Sequence, residues 1–250
     1  MIRVLFVTSQ VTYIPRNYLD LFKEFLSENS SVEVAGLILL QNLDFSLLKS
    51  VAGLSYLGAN KVQRSLLKNI IELPLKKREN LFTKRELPVA IFKSMNDASA
   101  IKWVKEKNID IIINVRTRCI YKSEILSIPK LGCINIHHGI LPKYRGTMCD
   151  LYALSENREA GFTIHQMNKK IDDGLIFTAK AVSKGDDNDY VNYLQKGAAI
   201  EGRELSKLMD EIARNKVLPD GTENRTQEKV YTKNPTRQQI KNFKRKGMIL

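Results

Sequence analysis

The residues best able to do chemistry lie in the segment CINIHHGILPKYRG, residues 133–146. In an extended strand, positions two apart face the same side, so Asn135 and His137 face one way and His138 the other. An amide donor beside an imidazole can hold a negatively charged oxygen while the imidazole moves a proton. An Asn-x-His pair on a strand is, taken alone, more often structural than catalytic, so the surrounding sequence has to decide.

The elements around this segment predict an α/β fold. Short, continuous apolar runs such as residues 2–8 and 110–115 are typical of strands buried on both faces of a parallel sheet. Further strands are predicted at residues 32–40, 88–93, 133–137, 161–167 and 175–182. Helical patterns separate them, with Asn17 and Asn96 as candidate N-caps and a long helix at residues 192–214. The alternation predicts a mostly parallel central sheet.

The whole chain has 250 residues and a net charge of +13, enough length for one large domain with or without a small appendage. No apolar run reaches the roughly 18 residues of a membrane span, and the N-terminus looks like a first strand, not a signal peptide. The spacing of Cys119, Cys133 and Cys149 fits neither a metal site nor a disulfide framework, so reduced thiols and a cytoplasmic location are expected. The positive charge either meets phosphate in a partner or serves solubility.

Three further motifs give the histidine segment a context: LPKYRG at residues 141–146, GFTIH at 161–165 and IDDGLI at 171–176. In this order and spacing they resemble the formyltransferase family that uses 10-formyltetrahydrofolate. The resemblance implies a Rossmann-like formyltransferase catalytic domain over residues 1–185, with an insertion at residues 42–85. Residues 186–250 would then be a short C-terminal extension made of a helix and a basic tail.

The resemblance also implies catalytic roles. Asn135 and His137 would hold the tetrahedral intermediate formed when an amine attacks the formyl carbon, and Asp172 would assist the histidine and the removal of a proton. Removal of one such oxyanion donor commonly costs about 10²–10³ in rate. The neighbouring Asp173 is assigned to the turn or the surface, and no catalytic part is expected for His138.

By the same resemblance, the co-substrate 10-formyltetrahydrofolate should lie beside the strand end at residues 115–121, held largely by backbone groups, and no metal is expected. Its predicted contacts are Arg118, Cys119, Ile120, Tyr121, Ile140, Leu141, Asn168 and Ile171. Arg116 and Arg118 depart from the family pattern. One of them would meet a folate carboxylate or a substrate phosphate, or both are surface charges.

The acceptor is predicted to contact Ser9, Gln10, Arg145, Gly146, Thr147 and His165. Arg145 either binds substrate or fixes its loop, and the loop is the favoured role because Pro142 and Gly146 already mark a turn there. His165 matches the second histidine of the family, where a buried structural role and a direct role in the site weigh equally.

The acceptor itself is inferred by elimination among family members. The segment TSQVTYIP after the first strand has no glycine, which argues against the phosphate cradle of glycinamide ribonucleotide enzymes. The chain is also expected to lack the C-terminal barrel domain of methionyl-tRNA enzymes. A nucleotide-linked amino sugar is therefore the leading acceptor, with tRNA second because of the basic tail. A non-catalytic relative that binds nucleotide or nucleic acid is the third alternative. A homodimer is compatible with the resemblance, and no membrane partner is expected.

Overall fold

The computed structural model describes residues 1–28 and 31–250, and its centre is a seven-stranded sheet. The strands are β1 (Ile2–Ser9), β2 (Val32–Leu40), β3 (Val89–Phe92), β4 (Ile111–Val115), β5 (Gly132–His137), β6 (Tyr144–Gly146), β7 (Ala160–Gln166), β8 (Ile176–Ser183) and β9 (Val230–Thr232). The main sheet has the order β3-β2-β1-β4-β5-β7-β8, and β6 pairs separately with β9. Its first four pairings are parallel and its last two antiparallel. The predicted mostly parallel α/β fold is therefore confirmed.

Helices cover both faces of this sheet. They are α1 (Leu19–Glu28), α2 (Phe45–Leu57), α3 (Asn60–Ile71), α4 (Lys77–Thr83), α5 (Ala98–Glu106), α6 (Ser123–Leu126), α7 (Cys149–Ser155), α8 (Tyr190–Asn215) and α9 (Arg237–Arg245). The sheet has a hydrophobic core on each face, and the side chains of β1 alternate between the two. Val4 and Phe6 pack on the side of α1 and α8, while Leu5 and Val7 pack on the side of α5. Burial on both faces explains the uninterrupted apolar sequence of the central strands.

The C-terminal part of the chain packs directly on the sheet. Helix α8 buries one stripe, including Leu194, Ala198 and Leu205, in the same core as Phe6. The backbone carbonyl of Leu250 accepts a hydrogen bond from the Lys61 amide, so the C-terminus lies against α3. A domain boundary at residue 185 stays a prediction, and the helix after it belongs to the same hydrophobic core.

Two predicted N-caps are wrong. Asn17 precedes α1 in a 3₁₀ turn (Pro15–Tyr18), but its side chain accepts from the Thr12 amide and donates to the Asn69 carbonyl. Helix α5 begins one residue later than expected, with Asp97 at the N-cap position, while Asn96 binds the backbone of residues 120 and 122. Each asparagine bonds to a segment distant in sequence, Asn17 to helix α3 and Asn96 to the loop around residues 120–122, and these tertiary contacts override the local capping preference.

The predicted insertion at residues 42–85 contains α2, α3 and α4. Arg78 in α4 is buried, and its guanidinium donates to the carbonyls of Ser9, Gln10 and Asn17. Burial lowers the pKa of Arg78 to about 10. This segment therefore holds the loop after β1 in place. Its status as an insertion relative to the family stays a prediction.

Over the described residues, 1–28 and 31–250, none of the helices combines the length and the apolar character that a membrane span requires.

Candidate active site

A cleft of about 510 Å³ opens where β1, β4 and β5 end. The carboxyl edge of a parallel sheet is where open α/β folds usually bind ligands, and the volume falls in the usual range for small-molecule sites. The three predicted catalytic residues, Asn135, His137 and Asp172, all line this cleft. The first two lie on β5, and the third comes from the turn between β7 and β8.

The amide of Asn135 is oriented by neighbours on both sides. Its Oδ1 accepts from Asn114 Nδ2 at 2.7 Å, and its Nδ2 lies 3.1 Å from Nε2 of His165. His165 Nδ1 lies 2.8 Å from the Gln166 carbonyl. Because a carbonyl only accepts, Nδ1 carries the hydrogen and Nε2 accepts from Asn135. One N–H of the Asn135 amide remains for a ligand in the cleft.

The tautomer of His137 is determined by the same reasoning. Its Nε2 lies 3.0 Å from the Tyr144 carbonyl and therefore carries the hydrogen, which leaves Nδ1 facing Asp172 Oδ2 at 3.5 Å. Burial lowers the pKa of His137 to about 4, with His165 and Arg116 acting in the same direction and Asp172 against it. At neutral pH the ring is uncharged, and Nδ1 offers a lone pair.

The carboxylate of Asp172 lies between the two histidines. One oxygen faces His137 at 3.5 Å and the other faces His165 Nε2 at 3.6 Å. Burial acts to raise the pKa of Asp172, but the positive charge of the two histidine rings in their protonated forms, together with the Gly146 amide, outweighs it and holds the pKa below its ordinary value. The carboxylate is therefore ionised at neutral pH beside a neutral imidazole.

The loop that carries Asp172 is clamped by two side chains from other parts of the chain. Asp172 has a left-handed backbone with φ 50°, and its carbonyl accepts from the guanidinium of Arg145 and, at 2.9 Å, from Asn224 Nδ2. Arg145 also donates to Oδ1 of Asn224 at 2.8 Å. Arg145 thus occupies the loop-fixing position that the sequence favoured, and its side chain does not reach the cleft.

The glycine at position 146 is required by close packing. Its φ is +97°, and an added Cβ would lie 2.2 Å from the Thr232 carbonyl on β9. This contact lets β6 pair with β9, and the Gly146 amide then reaches Asp172. The C-terminal segment from Asn224 to Thr232 therefore supports β6 and the Asp172 loop at the edge of the site.

His138 lies in a buried charged cluster behind His137. Its Nε2 lies 2.7 Å from Glu201 on α8, and its Nδ1 lies 3.2 Å from Asp150 and 2.6 Å from the guanidinium of Arg116. Burial and Arg116 act to lower the pKa of His138, but Glu201 and Asp150 outweigh them and raise it. The cluster is electrically balanced when His138 is protonated, with two cations facing two carboxylates.

Most residues predicted for the folate line the cleft: Arg118, Cys119, Ile120, Tyr121, Asn168 and Ile171. Ile140 and Leu141 do not, since Leu141 is buried and its amide donates to Thr163. Ile120 and Ile171 are 64% and 66% exposed at the rim. Such exposed apolar side chains beside a polar cleft suit the aromatic rings of a folate. Arg116 points inward at His138 and is not a surface charge, whereas Arg118 is exposed.

Among the predicted acceptor contacts, Ser9, Gly146, Thr147 and His165 line the cleft. Gln10 does not line it, and its backbone carbonyl accepts a hydrogen bond from Arg78. His165 is only 2% exposed, and it also contacts Asn135. It is therefore both buried and next to a predicted catalytic residue, so its position fits both roles that the sequence left open.

Several residues of the site were not identified from the sequence. Asn114 had a signal, because it is the one polar residue in the apolar run IIINV of β4. Its Oδ1 accepts from Thr117 at 2.7 Å and from Tyr121 at 3.3 Å, so it extends the chain of bonds behind Asn135. Asn224 and Glu201 had none, because both lie well beyond the last of the motifs in the sequence.

Within residues 1–28 and 31–250, no group of three or more histidine, cysteine or carboxylate side chains is arranged to hold a metal ion.

The fold and the site define a Rossmann-like α/β protein with a polar cleft at the carboxyl edge of its sheet. A family model described as formyl transferase matches residues 57–208, more than half of the chain. The chain therefore belongs to the formyl transferase family.

Individual relatives agree with this assignment. The chain is 37% identical over 110 residues to a methionyl-tRNA formyltransferase of Ehrlichia ruminantium (strain Gardel), covering 44% of this chain and 36% of the relative. It is 31% identical over 135 residues to the bifunctional polymyxin resistance protein ArnA of Wigglesworthia glossinidia brevipalpis, covering 54% and 21%. The chain thus spans well under half the length of these two curated relatives.

Among solved structures, a sugar N-formyltransferase from a Shewanella species superposes with a TM-score of 0.59 at 16% identity, covering 98% of this chain and 88% of that one. At this identity the similarity supports the fold alone.

Proposed function

We propose that this protein transfers the formyl group of 10-formyltetrahydrofolate to the primary amine of a nucleotide-linked amino sugar. The observation that carries the proposal is the convergence of Asn135, His137 and Asp172 on one cleft, with hydrogen-bond roles that formyl transfer needs. The co-substrate supplies an activated formyl carbon.

Each of these three residues then has a separate role in the reaction. The free N–H of Asn135 stabilises the negative charge that develops on the formyl oxygen. His137 Nδ1 accepts the proton of the attacking amine, and Asp172 stabilises the imidazolium that results. The protonated Nδ1 is then a donor, first to the charged oxygen and finally to the departing nitrogen. The amine proton thus ends on the leaving group as the new C–N bond replaces the old one.

The acceptor side of the cleft is lined by hydroxyl and amide side chains, which suit the hydroxyl groups of a sugar. They are Ser9, Thr12, Asn42, Ser46, Ser50, Thr147 and Asn234. Cationic side chains at the same cleft suit a diphosphate. They are Arg118, Lys169 and Lys170. A sugar acceptor is also named for the Shewanella protein that shares this fold.

Methionyl-tRNA is the second candidate acceptor. It is named for the Ehrlichia relative, and the C-terminal helix α9 carries several basic residues and no acidic one. A tRNA would bind such a surface mainly through its phosphates, and its binding would weaken steeply with salt.

The deciding experiment supplies 10-formyltetrahydrofolate with either a set of nucleotide-linked 4-amino sugars or methionyl-tRNA, and follows release of tetrahydrofolate. The proposal expects formylation of at least one sugar and no modification of the tRNA. Formylation of methionyl-tRNA and of none of the sugars would make the tRNA the acceptor, and the proposed formyl-transfer chemistry would stand.

The catalytic part is tested separately with Asn135→Ala and His137→Ala. Each should lower kcat by about 10²–10³ while tetrahydrofolate still binds. Near-normal turnover in His137→Ala would refute the assignment. No release of tetrahydrofolate with any amine would favour a non-catalytic binding protein.

A further inference from the structure

A second cavity, of about 170 Å³, lies beside the active-site cleft. The two share lining residues, which are Tyr13, Ser50, Arg118, Met148 and Asn234. Because the two cavities share these lining residues, the smaller one is a side pocket of the cleft. A pocket that adjoins the reacting groups is positioned to receive a part of the acceptor that is remote from its amine.

The side pocket is lined mainly by aliphatic side chains. These are Leu54, Leu57, Val62, Leu151, Ile240 and Leu250. They come from α2, α3, α7, α9 and the C-terminus. No carboxylate is among its lining residues in the described part of the chain. The mainly aliphatic wall favours a hydrocarbon group over a sugar ring rich in hydroxyl groups.

A glycine lines this pocket at a position where a larger side chain could fill it. Gly53 lies inside α2, and an added Cβ there would meet nothing within 4 Å. Glycine in a helix interior is less favourable than alanine. Because Gly53 lines the pocket and has open space beside it, a larger side chain at this position is a means of filling the pocket.

We propose that this pocket is an apolar subsite that binds a hydrocarbon substituent of the acceptor. A dry cavity of about 150 Å³ lined by similar side chains accommodates benzene, so the substituent has up to about six carbon atoms. Because the pocket is built from α2, α3 and the C-terminal segment, these elements select the acceptor. The link to an acceptor rests on the proposed function, whereas the binding of an apolar group does not.

The test measures dissociation constants of straight-chain primary amines, from ethylamine to octylamine, by calorimetric titration of the full chain. Once the hydrocarbon reaches the pocket, each further methylene should tighten binding about fourfold until the pocket is filled. Gly53→Leu should abolish this increase. Gly53→Ala, which makes the same backbone change but leaves the space open, should retain it.

Both variants should fold, because the added atoms enter open space, and thermal unfolding checks this directly. Leu57→Phe provides a second way to fill the pocket from the same helix. Equal gains per methylene in wild type and both filled variants would overturn the subsite, as would an absence of any chain-length dependence in the wild type. Formyl transfer is assayed in parallel, so a pocket that binds amines without turnover would contradict only the proposed function.

Discussion

Nδ1 of His137 lies 3.5 Å from a carboxylate oxygen of Asp172, while Nε2 of the same ring is committed to the Tyr144 carbonyl. This arrangement directs the basic nitrogen of the histidine toward the carboxylate and the cleft. Burial keeps the imidazole neutral, and the adjacent negative charge favours the imidazolium once a proton arrives. The pair is therefore arranged to take up a proton during the reaction.

Replacement of Asp172 should affect catalysis much more than replacement of its neighbour. Asp172→Asn removes the charge that stabilises protonated His137, and we expect kcat to fall about 10²-fold or more. Asp173 has a side chain that is 39% exposed and lies 3.9 Å from Arg145, so Asp173→Asn should remain close to wild type. Steady-state kinetics on the two variants make the comparison, and similar losses in both would contradict the assignment.

Stability should depend on pH through His137. Its folded pKa of about 4 is below the ordinary value of 6.5, so only the unfolded chain takes up a proton between these values. The free energy of unfolding should fall by roughly 3 kcal/mol as the pH drops through this window. Urea unfolding at intervals between pH 4 and 7 measures the slope. His137→Gln should flatten it, and an unchanged slope in that variant would show that other groups are responsible.

A variant of the residues that clamp the Asp172 loop should lose more activity than an equally destabilised variant elsewhere in the protein. Asn224→Ala leaves the carbonyls of Asp172 and Gly174 without their amide donor, which should cost about 2 kcal/mol and lower kcat about tenfold. Asn69 is a matched control, because its amide donates to the carbonyls of Thr12 and Ile14 on the acceptor side. Asn69→Ala should destabilise the protein similarly and change KM more than kcat. A kcat loss shared by both variants would mean that general destabilisation causes it.

The cluster around His138 should show strong coupling. His138→Leu leaves Glu201 and Asp150 facing only one cation, and breaking such a buried pair typically costs about 3–5 kcal/mol. Glu201→Leu should cost a similar amount. The double variant retains Arg116 and Asp150, which balance each other, so its loss should be well below the sum of the single losses. Denaturant unfolding of the four proteins measures this, and simple additivity would argue against a coupled cluster.

The pKa of His138 is raised, so its contribution runs opposite to that of His137. It should be fully present below about pH 6.5, the ordinary value, and be lost as the pH rises through the raised folded value. Unfolding experiments on the alkaline side should show a decline in stability that is absent in His138→Leu. The same decline in both proteins would assign it to another group.

Local sequence was enough for the class of fold and for the centre of the site. Apolar runs and helical spacing predicted the strands and helices, because burial on one or two faces leaves a periodic trace in a short window. The spacing within CINIHH placed Asn135 and His137 on one side of the strand, but His138 follows the end of β5 and also lines the cleft, so strand alternation did not fix its position. Local capping preference failed at Asn17 and Asn96, where hydrogen bonds to residues distant in sequence prevailed.

The amino-acid sequence by itself thus determined the mostly parallel α/β fold, the family resemblance and the identity of Asn135, His137 and Asp172 as candidates. Only the tertiary structure decided which nitrogen of His137 is basic, that Asn224 clamps the Asp172 loop, and that an apolar pocket adjoins the cleft. The physical reason is the distance along the chain over which each kind of information acts. Periodicity and motif spacing act over a few residues, whereas hydrogen-bond partners, burial and cavities depend on chain segments that meet only when the protein folds.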